Sequence, residues 1–242
     1  MEKTVSEAIA YRRSTRVYKD DEIDTEKVKE CLVNASLAPT SSNLQLWEFY
    51  HVTDKTKLEE LATACFNQSA AKTAKQLVVV VTRKDLWRKR AQANINFLNK
   101  VYDKEGLSER DLKRKKMATN YYKKLIPTIY TDFLGILGFL KYIIFQIIGV
   151  FKPIYRQTRL SDMRIVAHKS AGLAAQNFMT SMAAIGYDTC PMEGSDTLRV
   201  KQILNLPRGA EINMVIGCGI RDDKGIYGPR FRVPFESVYF EV

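Results

Sequence analysis

Leu77-Val78-Val79-Val80-Val81 leaves this chain little freedom. Five apolar residues in a row, four of them β-branched, are too few for a helix and show no polar alternation, so they predict a strand covered on both faces. Such a strand needs helical layers on either side, and the surrounding sequence supplies them. Asp24 or Thr25 caps an apolar-periodic run to about Leu37, with Val28, Cys31, Leu32 and Ala35 on one face and Ala38-Pro39 as its stop. Glu48 to Thr53 reads as a strand, and Asp54 caps a helix through Leu58, Leu61, Ala62 and Cys65. Ser161 or Asp162 opens a long helix to Ile185, stopped by Gly186. Its many small residues predict close packing against another backbone. Cys190 to Asp196 reads as a turn, Ser195 or Asp196 caps a helix to Leu204, and Ile212 to Gly217 reads as a second buried strand. A strand-like tail through Val238, Tyr239 and Phe240 follows Pro234. Helices and strands alternate without repeats, and no GxGxxG or GxxxxGK[ST] loop follows a strand. The chain is therefore α+β or α/β, with a site that is not of the Rossmann kind.

Cys31, Cys65, Cys190 and Cys218 are scattered and form no CxxC pair, which suggests neither a disulfide framework nor a zinc site. Met1-Glu2-Lys3-Thr4 runs into an amphipathic pattern with no apolar signal core, so a cytoplasmic location is expected. The formal charge of +11 is confined to the middle third: residues 84–159 hold 17 Lys and Arg against 6 Asp and Glu, while both flanks are balanced. Neutral flanks without a zinc-finger, RNP or helix-turn-helix signature argue against nucleic-acid binding.

Arg12-Arg13-Ser14-Thr15-Arg16 follows the short apolar-periodic run Val5, Ala8, Ile9. Three guanidiniums and two hydroxyls within five residues suit a planar or phosphorylated anion, although such a run also reads as a solvated basic helix end. Its weight comes from the stretches that answer it. Pro39-Thr40-Ser41-Ser42-Asn43-Leu44-Gln45-Leu46-Trp47 is a loop whose hydroxyls and amides either satisfy their own backbone or read the edge of a heterocycle. Asn67 and Gln68 precede the valine run, Pro191-Met192-Glu193-Gly194 lies in the turn after the long helix, and Arg230-Phe231-Arg232 closes the chain.

In that order these stretches resemble the nitroreductase family of FMN-dependent oxidoreductases, through its RRSxR, PSSxNxQPW and PxEG patterns and its closing basic pair. The resemblance covers residues 1 to about 83 and 161 to 242. It implies an α+β fold, a mixed sheet flanked by helices, with residues 1–242 as one FMN-binding domain and a helical, hydrophobic and basic insertion at about 100–160. It also implies a homodimer with FMN at two interface sites. By position, Arg12, Arg13, Ser14, Arg230 and Arg232 look like ligands of the FMN phosphate and ribityl chain, and Arg16 like the cation near the pyrimidine end of the flavin. Thr40, Ser41, Ser42, Asn43 and Gln45 resemble the loop that lines the cofactor from the partner subunit, with Asn67 and Gln68 near the ring edge. Pro191, Met192, Glu193 and Gly194 resemble the turn whose backbone N–H approaches flavin N5, where glycine permits close approach. Leu46 stands in place of the pattern's proline and Thr40 in place of serine. Alanine or lysine at 70–72 stands where some members carry a second cation, so the resemblance fixes the phosphate side better than the substrate side.

The implied activity is hydride transfer from NADH or NADPH through FMN to a nitroaromatic, quinone or similar acceptor in ping-pong order, with no catalytic protein nucleophile and no metal. His51 and His168 are remote from the motifs and read as ordinary polar residues. The alternatives are a non-catalytic flavin-binding protein and a membrane-surface interaction module. The last is motivated by Phe133 to Phe151, nineteen residues with one Lys and one Gln. As a helix this run would reach roughly 28 Å, close to a bilayer's hydrocarbon thickness. A single crossing would separate Arg12 from Arg230, which the resemblance puts on one phosphate. The run is then either a packing element across the dimer or a patch lying on a membrane. Lys113, Arg114, Lys115, Lys116, Lys123, Lys124, Lys152, Arg156 and Arg159 flank it and favour anionic lipid. Residues 110–159 are expected to rest on the membrane at the active-site mouth, where they can admit a lipophilic acceptor.

Overall fold

The computed structural model describes residues 2–242. Its sheet is built on β2 (Gln76–Thr82), every residue of which is buried. β1 (Trp47–Val52) flanks β2 on one side, and β4 (Glu211–Gly219) then β3 (Asp188–Met192) follow on the other, in the order β1-β2-β4-β3. All three pairings are antiparallel. The alternation of a strand decides what each valine meets. Val78 and Val80 join Val28, Cys31, Ala35, Ala174 and Phe178 in one core layer. Leu77, Val79 and Val81 join Leu61, Cys65, Val200 and Val215 in the other. The first layer belongs to α2 (Thr25–Ser36) and α9 (Leu160–Ala184), and the second to α3 (Lys55–Ala64) and α10 (Thr197–Ile203).

The helix starts follow the expected capping chemistry. Asp24 accepts from the amides of Glu26 and Lys27, Asp54 from that of Lys57, and Asp196 from those of Leu198 and Arg199. α1 (Val5–Tyr11) opens with a capping box between Thr4 and Glu7. The small residues of α9 bury Ala167, Ser170, Ala171, Ala174 and Ala175 and bring α2 close. All four cysteines are unbonded and buried, and burial alone lifts the Cys65 thiol to about 11.

The α+β class is as expected, with some corrections of detail. The sheet is antiparallel rather than mixed along its strands, and the parallel element among the described residues is an isolated bridge between Ser14 and Thr189. The segment read as a turn from Cys190 begins as strand β3, because an edge strand tolerates Pro191, whose missing N–H is not needed by a neighbour. The tail read as strand-like forms a short 3₁₀ turn at Phe235–Ser237, and Phe235 stacks on Tyr239 with ring centroids 4.9 Å apart. Among the described residues no strand pairs with it to complete a ladder.

Between β2 and α9 come α4's successors in the basic middle of the chain; α4 itself (Ser69–Lys72) precedes β2. They are α5 (Trp87–Val101), α6 (Glu109–Asn120), a π-turn at Tyr121–Leu125, α7 (Ile126–Tyr130) and α8 (Ile136–Phe151). Trp87, Ala91, Ile126 and Tyr130 tie this region to Leu44, Leu46, Met163 and Ala167 in a third core cluster. α8 stands largely outside it, with Gly138 as its one buried residue. Gly135 takes a left-handed φ of 83° before α8, and the Asp132 carboxylate caps the start by accepting from Gly135 N at 2.7 Å and Gly138 N at 2.6 Å. No helix among the described residues is long and apolar enough to cross a membrane.

Candidate cofactor site

Arg12 ends α1 and turns the chain into an extended segment. Ser14 bridges Thr189, the amide of Thr15 donates to Thr189 O at 3.2 Å, and the amide of Arg16 donates to Gly225 O at 2.6 Å. Extended backbone alternates its side chains, so Thr15 is buried while Arg16 points to the exposed side. Tyr18 is buried two residues on and donates to Gly217 O at 2.9 Å.

The start of β3 braces this segment. Asp188 accepts from Arg221 Nε at 2.7 Å and from the Tyr11 hydroxyl at 3.3 Å, while Arg221 lies 4.0 Å over the Tyr11 ring and donates to Tyr11 O at 3.2 Å. Burial first, and the Asp188 charge second, push the Tyr11 phenol above its ordinary value. The C-terminal arm closes the other side. Arg230 donates to Ala10 O at 2.8 Å and Arg12 O at 2.7 Å, which are among the carbonyls left free where α1 ends. Arg13 donates to Gly228 O at 2.7 Å.

The outcome is a cleft of about 340 Å³ lined by Arg12, Arg13, Ser14, Arg16, Arg230 and Arg232, with Tyr227 and Phe231 beside them. Among the described residues no carboxylate pairs with any of these five arginines, whereas Arg83, Arg159 and Arg221 all have one. Burial lowers the proton affinity of the Arg12 guanidinium, and the like charges of Arg230 and Arg232 lower it further. Guanidiniums gathered in this way, with a serine hydroxyl among them, have the chemistry of a phosphate site.

A second group forms at the far end of β3. Phe66 and Asn67 take left-handed φ values of 57° and 54° at the end of α3, and this presents Gln68 to the turn after Met192. Gln68 donates from Nε2 to Gly194 O at 2.8 Å and to Cys65 O at 3.0 Å. A Cβ on Gly194 would meet only Gln68 Nε2, at an ordinary 3.6 Å. Nothing among the described residues therefore requires glycine there, and its open backbone suits close approach by a bound group. Pro191 and Met192 lie in β3, and Glu193 is exposed.

Thr40 to Gln45 form a third group that does not line the arginine cleft. Ser42, Asn43 and Gln45 all have positive φ, at 54°, 49° and 48°. The loop is held by Gln45 N donating to Thr40 Oγ1 at 3.2 Å and Ser41 N donating to Ser170 Oγ at 3.3 Å. The basic middle of the chain also grips it. Ser42 and Tyr121 share a hydroxyl hydrogen bond of 2.6 Å, Asn43 donates to Asn94 Oδ1 at 2.9 Å, and Tyr122 donates to Ser42 O at 3.1 Å.

Sequence reasoning missed the brace of Tyr11, Asp188 and Arg221, and the supports Asn94, Tyr121 and Tyr122. No motif carried them, and Asp188 stands in a stretch that the sequence alone reads as the approach to a turn. The histidines sit in polar contacts of the sheet: His51 Nε2 with Gln76 Oε1 at 2.7 Å, and His168 Nδ1 accepting from Asn213 at 3.0 Å.

Residues 9–220 match the model of the nitroreductase family. The chain is 26% identical over 218 residues to Protein DrgA of Synechocystis, covering 90% of this chain and 84% of that protein. It is 25% identical over 235 residues to "Putative NAD(P)H nitroreductase YdgI" of Bacillus subtilis, covering 94% and 92%. The fold is shared with a nitroreductase family protein from Streptococcus pneumoniae, at 21% identity and a TM-score of 0.68 over 99% of this chain and 100% of that one. It is shared equally with a protein from Exiguobacterium sibiricum solved in complex with FMN, at 21% identity and a TM-score of 0.68 over 99% and 98%. The family match runs through the basic middle as well as the two flanks that carry the motifs, and on that extent this chain belongs to the nitroreductase family.

Proposed function

We propose that this protein is an FMN-dependent oxidoreductase that draws electrons from NADH or NADPH and delivers them to an oxidised small molecule such as a nitroaromatic or a quinone. One observation carries the reading: arginines from the two ends of the chain meet in one cleft without a carboxylate to neutralise them. A phosphate dianion is the partner that such a set suits, since clustered guanidiniums repel one another and their planar forks bind phosphate oxygens in charge-assisted pairs. When bound, FMN supplies the redox chemistry, accepting hydride from the nicotinamide and passing it to the acceptor in ping-pong order.

The chain's own residues bind and orient. Arg12, Arg13, Ser14, Arg230 and Arg232 would hold the phosphate and ribityl chain, and Arg16 would offset negative charge at the pyrimidine end. Gln68 fixes the carbonyl of Gly194, and the backbone of that turn would lie beside the ring. Thr40 to Gln45 stand apart from the cleft in one chain, as suits a loop that serves the partner's cofactor in a homodimer. No protein nucleophile or metal is part of this reading.

Absorbance tests it. Purified protein should be yellow, bleach under anaerobic NADH or NADPH, and recover colour when a quinone or nitroarene is added. Colour that no nicotinamide bleaches would replace the enzyme with a flavin-binding protein. Failure to bind FMN at all, even after incubation with excess cofactor, would overturn both. In this reading residues 84–159 lie outside the phosphate-binding set, and a membrane role for them rests on α8.

A further inference from the structure

The polar groups of α8 are gathered on one side. Lys141, the helix's one charged residue, donates from Nζ to the carbonyls of Thr128 at 2.9 Å, Ile129 at 3.2 Å and Thr131 at 2.6 Å, around the end of α7. Gln146 Oε1 accepts from Arg156 at 2.8 Å, and the Arg159 guanidinium lies 4.8 Å over the Tyr142 ring. Gly138 is buried against Asp132 and the first residues of α9. Positions 138, 141, 142, 146 and 149 recur every three or four residues and mark the face that looks back at the protein. A lysine on a solvent-facing helix would extend into water. Here its ammonium is drawn inward.

The opposite face has no polar group. Ile136, Phe139, Leu140, Ile143, Ile147 and Val150 follow the same helical period and are between 40% and 76% exposed. Phe133 and Leu134 before the helix, and Phe151 at its end, extend the apolar surface at both ends. A contiguous apolar surface of this kind marks an interaction site.

Length and charge identify the occupant. Sixteen residues reach about 24 Å, short of the roughly 30 Å hydrocarbon layer. Both ends return to the same body, through Asp132 at the start and α9 beyond the end, so the helix lies along a surface. Near it in the chain, Lys123, Lys124 and Lys152 have no acidic partner among the described residues, and Lys124 lies one turn from Thr128, whose carbonyl holds Lys141. Pairing with a second copy of α8 would set these lysines against their own equivalents. Of the carboxylates in residues 84–159, Asp85 pairs with Arg83, Asp111 is engaged by Ser108 and Arg114, and Asp132 caps α8.

We infer that the outward face of α8 docks into the interfacial layer of an anionic phospholipid membrane, with the surrounding lysines on the headgroups. The inference goes beyond the flavin reading and stands without it. Flotation of the full-length protein with vesicles tests it, using phosphatidylcholine alone and phosphatidylcholine containing a quarter phosphatidylglycerol. Wild type should float with the anionic vesicles, and binding should fall steeply as salt is raised. Ile143→Glu with Ile147→Glu changes exposed positions only, so it should keep the melting temperature while reducing vesicle binding at least tenfold. Lys123→Gln with Lys124→Gln and Lys152→Gln should weaken binding to anionic vesicles several-fold and leave residual binding to neutral ones unchanged. Equal flotation of wild type and the glutamate variant would overturn the inference. So would absence of flotation together with a larger oligomer, by sedimentation velocity, for wild type than for that variant; the face would then be an interface between copies.

Discussion

Arg230 does two things at once. Its guanidinium satisfies the carbonyls of Ala10 and Arg12 at the end of α1, and it brings a positive charge within reach of Arg12. The carbonyl contacts hold the arm in place, and the shared charge calls for an anion. Among the described residues Arg232 makes no such tie to α1 and donates to the carbonyl of Phe231 at 2.7 Å. Replacing both, Arg230→Ala with Arg232→Ala, should leave far-ultraviolet circular dichroism unchanged and yield colourless protein. Charge-assisted hydrogen bonds contribute about 1.5–3 kcal/mol each, so the FMN Kd should rise at least about a hundredfold. Stoichiometric FMN in the double variant would remove these residues from the phosphate site. The arginines themselves were legible in the sequence because they stand in a recognisable order. The Tyr11, Asp188 and Arg221 brace was not, since its members are separated by as many as 210 residues and belong to no motif. Only the fold brings them together.

At the level of elements, β2 was readable because a run of valines has no competing conformation. The helix starts were readable because Asp24, Asp54 and Asp196 each carry a short side-chain oxygen that satisfies free amides. β3 was obscured by local chemistry: proline and glycine in Pro191-Met192-Glu193-Gly194 are turn residues, and an edge position in the sheet overrides them. Its neighbour β4 shows how tight the packing near the site is. A Cβ on Gly219 would stand 2.7 Å from Tyr18 Cδ1, and Tyr18 is already buried with its hydroxyl on Gly217. Gly219→Ala should therefore overpack this contact and cost about 1–3 kcal/mol, read as a lowered urea midpoint with an unchanged m-value. An unaltered midpoint would mean that Tyr18 moves aside freely.

The molecule as a whole leaves its last sixteen residues uncovered. Every residue from Tyr227 to Val242 is exposed, among them Phe231, Phe235, Tyr239 and Phe240. So many aromatic rings in water suit an arm that is covered in a homodimer, which also accounts for the separation of the Thr40–Gln45 loop from the arginine cleft. Sedimentation equilibrium should return twice the 27.7 kDa chain mass. Deleting residues 233–242, which spares Arg230 and Arg232, should shift the protein towards monomer and lower its FMN content together. A truncated protein that remains dimeric would assign the interface elsewhere.

The contact of Arg230 with Ala10 and Arg12 spans as many as 220 positions and ties the arm to the end of α1. On the ribosome the α1 side of that contact emerges as many as 220 residues before the arm. The sheet core, complete by Gly219, has no need of the arm, whereas the arginine cleft does. If flavin is held as proposed, a product cut short after Gly219 would carry the sheet core and Arg12, Arg13 and Arg16 but lack the two arm arginines of the phosphate set.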